Sequence, residues 1–285
     1  MGSIDYEAEY DNRARVPEHP AIFAAWARDA AAYRDDAAAQ GRGEFGIRYG
    51  GTPRQTIDLF SPAGGAAGPL ALFIHGGWWR ALGPDMFSHM ARGLNARGIA
   101  VAVAGYELCP QVTIADIVGE MRQAGLYLWR RFGRRITVYG HSAGGHLTAA
   151  LLATDWKAQS PDMPADFVPA GYAISGVFDL APLTGISLNQ DLRLSADEAR
   201  ELSPLLWPPP AGRSLDAVVG ALESAEFLRQ SRSIAETWGR GGVATRYEAV
   251  AGTNHFTVIA PLADPESGMV ARIAALSEQT RGPVG

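Results

Sequence analysis

Residues 135–147 read R-I-T-V-Y-G-H-S-A-G-G-H-L. Ile136 to Tyr139 favour a strand, and the residues from Ala143 onward, A-G-G-H-L-T-A-A-L-L-A, favour a helix. Between them Gly140-His141-Ser142-Ala143-Gly144 fits G-x-S-x-G, a pattern that gains meaning when a strand precedes it and a helix follows. So sharp a turn puts Ser142 in a strained backbone geometry. Glycines two before and two after it remove side chains that would collide across the turn. The hydroxyl is then displayed at the C-terminal edge of a strand and at the positive end of a helix.

The rest of the chain has the rhythm this turn requires. Apolar runs stand at 70–74, 99–104, 136–139, 171–175, 217–219 and 245–250, with helix-length segments at 85–96, 114–132, 143–153 and 225–238. Short apolar runs without alternation suit strands buried on both faces, so the expectation is a mostly parallel central sheet flanked by helices. Two shorter strands are predicted at 46–49 and 56–60, joined by Gly50-Gly51-Thr52-Pro53, and 61–69 reads as a loop. Ahead of them residues 1–40 form an N-terminal arm. In it Phe23, Trp26, Ala30 and Tyr33 share one helical face over 21–39. A small cap-like insertion is expected at about 180–214. There Ser195 and Glu198 resemble a capping box and W-P-P-P-A-G-R (207–213) cannot be helical. The whole reads as one α/β domain over residues 1–285.

Composition narrows the function. Of 285 residues 47% are hydrophobic and 19% charged, enough for a sizeable core. A net charge of −5 with no basic block gives no reason to seek nucleic acid or an anionic membrane. Cys109 is the single cysteine, so no internal disulfide or multi-cysteine metal site forms. The start M-G-S-I-D-Y-E-A-E-Y is acidic and lacks the apolar core of a secretory leader, and no serine or threonine follows Gly2 at the myristoylation spacing. No apolar run is long enough to span a bilayer. A cytoplasmic location is the expectation.

A nucleophilic serine needs oxyanion donors, a base and an acid. I-H-G-G-W-W (74–79) ends the buried run 70–74, and the backbone N–H groups of Gly76 and Gly77, with that of Ala143, are the expected oxyanion hole. Among six histidines, His255 in A-G-T-N-H-F (251–256) follows the last apolar strand and opens the final helix. That is the base's place in the order Ser, acid, His. His141 and His146 flank the serine, but no third ligand completes a metal site with them. Two residues compete as the acid: Glu223, after the penultimate strand, and Asp179 in S-G-V-F-D-L. The penultimate strand favours Glu223. Glu226 reads instead as a first-turn helix carboxylate.

The ordered set H-G-G-W-W, Y-E-L-C-P (106–110), G-H-S-A-G-G-H-L (140–147), I-S-G-V-F-D-L (174–180), E-S-A-E-F-L-R-Q-S (223–231) and N-H-F (254–256) spans nearly the whole chain. With Y-D-N-R-A-R-V-P (10–17), it resembles the kynurenine formamidase (arylformamidase) group of α/β-hydrolase-fold proteins, related to the hormone-sensitive-lipase-like esterases. The resemblance implies a Ser–His–acid hydrolase without a cofactor. Ser142 and His255 stand at the family's nucleophile and base positions, and Glu223 at its acid position, where aspartate is common. Trp78 stands where tyrosine is frequent. The resemblance also implies a small-acyl ester or aryl-formamide substrate, with Trp78 and Trp79 walling the pocket and Asn189 and Arg193 meeting a substrate carboxylate. The expected partners are that small molecule and, for assembly, a homodimer. A thioesterase or deacetylase of a specialised metabolite, and a non-catalytic ligand-binding protein on the same fold, are the alternatives.

Overall fold

The computed structural model describes residues 4–65 and 67–281; Met1 and Gly2, and residue 66 of the 61–69 loop, lie outside them. The chain opens with three helices, α1 (Tyr6–Tyr10), α2 (Asn12–Arg15) and α3 (His19–Ala39), the last with Pro20 in its first turn. Strands β1 (Gly43–Arg48), β2 (Thr56–Phe60) and β3 (Leu70–Ile74) follow. A 3₁₀ helix (Pro84–Ala91) leads into α4 (Arg92–Ala96), β4 (Ala100–Ala104), α5 (Ile114–Phe132), β5 (Ile136–His141), α6 (Ala143–Leu152) and α7 (Trp156–Gln159). Then come β6 (Ala170–Ile174), α8 (Asn189–Leu192), α9 (Ala196–Glu201), β7 (Ser214–Gly220), α10 (Ala225–Arg240), β8 (Ala244–Val250) and α11 (Gly268–Ser277).

The eight strands form one sheet in the order β1-β2-β4-β3-β5-β6-β7-β8. Only β2 runs against its neighbours β1 and β4; the other pairings are parallel. Every residue of β3, β4, β5, β6 and β7 is buried, including Asp216 of β7, which accepts from Arg272 Nε. Alternation along β3 sorts the core into two layers. Leu70, Leu72 and Ile74 join α5 and α6 on one face, while Ala71 and Phe73 join α3 and α11 on the other. Strand β8 closes the edge and is only half buried.

Several sequence expectations need correction. Residues 85–96 are not one helix. Pro84–Ala91 winds as 3₁₀ and buries Phe87 through Ala91 consecutively, so tertiary packing rather than an amphipathic stripe fixes it. His255 does not open the final helix: a 3₁₀ turn, Thr257–Ala263, follows it, and α11 starts at Gly268 behind the Ser267 cap. The arm holds α1 and α2 ahead of the expected helix, and α3 buries Trp26, Ala30, Tyr33 and Ala37 against the body. Ser195 and Glu198 form the expected capping box, opening α9.

The registers align the C-terminal ends of the central strands, with Ile74 beside both Ala104 and Gly140 and His141 beside Ile174. Loops leaving β3, β5, β6, β7 and β8 therefore converge on one end of the sheet. No described helix is long and apolar enough to cross a membrane.

Candidate active site

Ser142 has φ 57° and ψ −117°, in the left-handed region, between β5 and α6. Its neighbours explain the glycines. A Cβ on Gly144 would lie 2.0 Å from the Ile74 carbonyl oxygen, and one on Gly140 would lie 2.3 Å from the Gly144 carbonyl oxygen. The turn therefore closes only without side chains at both positions, and the Ser142 N–H bonded to the Ile174 carbonyl (2.8 Å) pins it to β6.

His255 reaches the serine from the loop after β8. Glu223 Oε2 lies 2.6 Å from His255 Nδ1, and Ser142 Oγ lies 3.1 Å from His255 Nε2. A carboxylate only accepts, so Nδ1 carries the proton and Nε2 offers its lone pair to the serine hydroxyl. Phe227 packs on the imidazole at 4.5 Å between centroids. His141 donates from Nε2 to the His255 carbonyl oxygen (2.8 Å), holding the loop that carries the base.

The other Glu223 oxygen is also fixed. Oε1 accepts from Ser175 Oγ (2.5 Å) and from the Gly220 N–H (2.6 Å), and the Glu223 side chain is wholly shielded from solvent. Ser175 reaches it from a left-handed residue (φ 51°) at the end of β6. Asp179, the alternative acid, is directed elsewhere: it pairs with Arg229, which also grips Glu226 through Nε and Nη2. Gln230 on α10 binds the backbone of Phe178 and Asp179 and donates to the Tyr10 hydroxyl (3.0 Å), while Tyr10 lies 3.2 Å from Glu226 Oε2. The arm is thus stitched to the helix that follows the acid. Sequence reading missed Ser175, Tyr10 and Gln230, although all three lie inside quoted motifs.

Gly76 and Gly77 line a cavity of about 330 Å³ together with Ser142 and His255. A Cβ on Gly76 would meet Ser142 Cβ at 2.9 Å, and Gly77 has φ +113°. Among the described residues, no acceptor is bonded to the N–H of Gly76, Gly77 or Ala143. Three donors beside the serine hydroxyl suit an oxyanion. Phe23, Trp26, Trp78, Leu82, Phe87 and Phe256 supply apolar wall, and the arm adds Glu7, Tyr10, Asp11, Asn12 and Arg13.

Of the four expected substrate-binding residues, Trp79, Asn189 and Arg193 fall outside this cavity. Trp78 and Trp79 are both left-handed (φ 53° and 54°), and the turn sends them apart. Trp78 lines the cavity, whereas Trp79 is fully buried, edge-on to His146 at 5.1 Å. Asn189 spends its amide on Thr184 and Leu194, closing its own loop, and Arg193 is the exposed left-handed cap of α8. Their loop still contributes Ile186, Ser187, Leu188, Gln190 and Asp191 to the cavity.

His146 donates to the Leu202 carbonyl, so its contact differs from that of His141. Burial pushes the His75, His89 and His146 imidazoles down to about 4, and burial followed by repulsion from His255 holds His141 well below its ordinary range. These groups fold neutral. Between pH ~6.5 and ~4 the unfolded chain takes up protons that the folded one refuses, so stability is full above ~6.5 and is lost as pH falls toward ~4. The melting temperature should drop by roughly 5–10 °C from about pH 7.5 to about pH 5, with a shallower slope in His146→Gln. A flat scanning-calorimetry profile over that interval would contradict buried, neutral histidines.

A family model for the alpha/beta hydrolase fold matches residues 71–259. The kynurenine formamidase of Danio rerio is 28% identical over 228 residues, covering 76% of each chain. That of Drosophila melanogaster is 30% identical over 236 residues, covering 78% of this chain and 77% of the relative. The crystal structure of a candidate thioesterase from Silicibacter sp. TM1040 superposes with a TM-score of 0.82 at 32% identity, covering 95% of this chain and all of that one (100%).

Proposed function

This chain belongs to the α/β-hydrolase fold family, in its kynurenine formamidase-like branch, and from that premise we propose a serine hydrolase of small-acyl aryl formamides and esters. The fold and its relatives make it a hydrolase; the serine mechanism and the substrate are our reading. One observation carries it: the unbroken relay from Glu223 through His255 to Ser142, at 2.6 and 3.1 Å, ending in the cavity.

In this mechanism the substrate carbonyl sits over Ser142 with its oxygen toward the Gly76, Gly77 and Ala143 N–H groups. Ser142 Oγ attacks while His255 Nε2 takes its proton, and Glu223 holds the imidazolium that forms. Collapse of the tetrahedral intermediate breaks the bond to the amine or alcohol, which leaves with the proton from Nε2. Water, deprotonated by the same nitrogen, then releases the acyl group as a carboxylic acid and restores the serine. A cavity of about 330 Å³ holds one aromatic ring with a short acyl group and is near the lower end of ligand-site sizes.

The test is turnover of N-formylkynurenine beside p-nitrophenyl acetate and butyrate. Formamide and acetate should each exceed butyrate in kcat/KM by about tenfold or more, since each added methylene must fit a filled acyl site. Butyrate turned over as fast as acetate would overturn the small-acyl reading. An acetyl thioester outpacing both would favour the thioesterase alternative, which the Silicibacter relative supports.

A further inference from the structure

Two imidazoles line the cavity, and the relay uses only one of them. His255 is engaged through both ring nitrogens, whereas His141, the residue before the nucleophile, is engaged through one. Its Nε2–H is spent on the His255 carbonyl oxygen, which leaves Nδ1 unprotonated with a free lone pair. Among the described residues no donor is bonded to that nitrogen. The unbonded ring nitrogens of His75, His89 and His146 are sealed from solvent, but Nδ1 of His141 is not, and the space its ring borders is the cavity.

Two neighbours fix where this acceptor stands. A Cβ on Gly76 would lie 3.2 Å from His141 Nδ1, so the nitrogen sits beside one of the oxyanion donors of the proposed mechanism. The His141 and His255 rings are 4.8 Å apart between centroids, with a 43° tilt. Phe23, Trp26, Phe87 and Phe256 in the same lining offer no acceptor, since phenyl rings have none and indole only donates. Burial, and then repulsion from His255, hold His141 well below the ordinary histidine range, so the lone pair is present at neutral pH.

An amide brings a hydrogen on its scissile atom that an ester lacks. Binding strips that N–H of water. In the tetrahedral intermediate the nitrogen lone pair must face the proton on His255 Nε2, so the N–H turns away and needs an acceptor in the wall. We propose that His141 Nδ1 accepts the N–H of the scissile amide, which makes His141 the residue that favours anilides over esters of the same shape. The hydrogen stays on the nitrogen throughout; only a hydrogen bond forms. This rests on the serine-hydrolase reading above.

The test compares 4-nitroacetanilide with 4-nitrophenyl acetate, which share acyl and aryl groups, on wild type, His141→Gln and His141→Asn. Glutamine places its amide nitrogen about where Nε2 stood and has no counterpart to Nδ1. It should lower kcat/KM on the anilide about tenfold more than on the ester. Asparagine places an oxygen about where Nδ1 stood but loses the donor to the His255 loop. It should lower both rates by similar factors and keep the anilide-to-ester ratio near that of wild type. Equal losses on both substrates in His141→Gln, or the same fall in ratio in His141→Asn, overturn the proposal. A second readout leaves His141 in place: nitrogen NMR of isotope-labelled histidine in Ser142→Ala. The Nδ1 resonance of His141 should move toward that of a hydrogen-bonded nitrogen on saturation with the anilide and stay in place with the ester. A resonance that ignores the anilide overturns the proposal even if the His141 variants do not fold. If wild type hydrolyses neither substrate the hydrolase reading fails, and the NMR comparison still decides the acceptor.

Discussion

Replacing Ser142 with alanine should lower kcat by about 1,000-fold or more on every substrate the wild type turns over. The oxyanion donors and the cavity stay in place, so substrate affinity should change little. Alanine tolerates φ 57° about as poorly as serine does, so the variant should keep the turn and a melting temperature close to wild type. The measurement is steady-state kinetics with a thermal melt on the same preparation. A variant that matches wild type would remove Ser142 from the mechanism. Loss of activity with loss of folding would show only that the turn had collapsed, and Ser142→Gly, which accepts the positive φ without strain, then separates the two.

Glu223→Gln should cost about 10³–10⁴-fold in kcat, although it keeps the shape of the side chain. The reason lies in the donors around Oε1. The Gly220 N–H cannot rotate, so it holds the amide oxygen of the glutamine on its own side, where Oε1 now sits. The NH₂ end must then face His255 Nδ1, in place of the Oε2 that accepts from it at 2.6 Å. Two donors cannot share that contact, and the imidazole moves its proton to Nε2. In that tautomer it cannot take the proton of Ser142. Kinetics on the variant should show a loss in kcat with KM nearly unchanged. A loss under about tenfold would mean that Glu223 does not set the tautomer.

The relay was legible because each member has local chemistry that sequence displays. Ser142 stands in a turn that only flanking glycines permit, and chain order leaves His255 as the histidine after the last strand. Between Glu223 and Asp179 sequence could only lean; the Arg229 pairing of Asp179 exists only in three dimensions. What surrounds the relay was less legible. Ser175 acts through a left-handed backbone that nothing in I-S-G-V-F announces. Trp78 and Trp79 are identical and adjacent, and the left-handed turn alone decides which one meets the cavity. Asn189 has the right chemistry for an anion, but loop closure consumes its amide, and Arg193 caps α8 through its backbone on the exposed side, outside the cavity. The sheet followed from its buried apolar runs. The 3₁₀ segment Pro84–Ala91 did not, because it is set by what packs around it.

The joint between Tyr10 and Gln230 links residues 220 positions apart. During synthesis the arm is made well before α10 and must wait, its aromatic side chains exposed, until that helix follows. Contacts of such sequence separation are slow to close. The wall of the cavity is therefore among the last parts to assemble, although its arm residues are made before any strand of the sheet. Once β6 has been made, the Ser142 turn can exist while the chamber around it stays open until α10 follows.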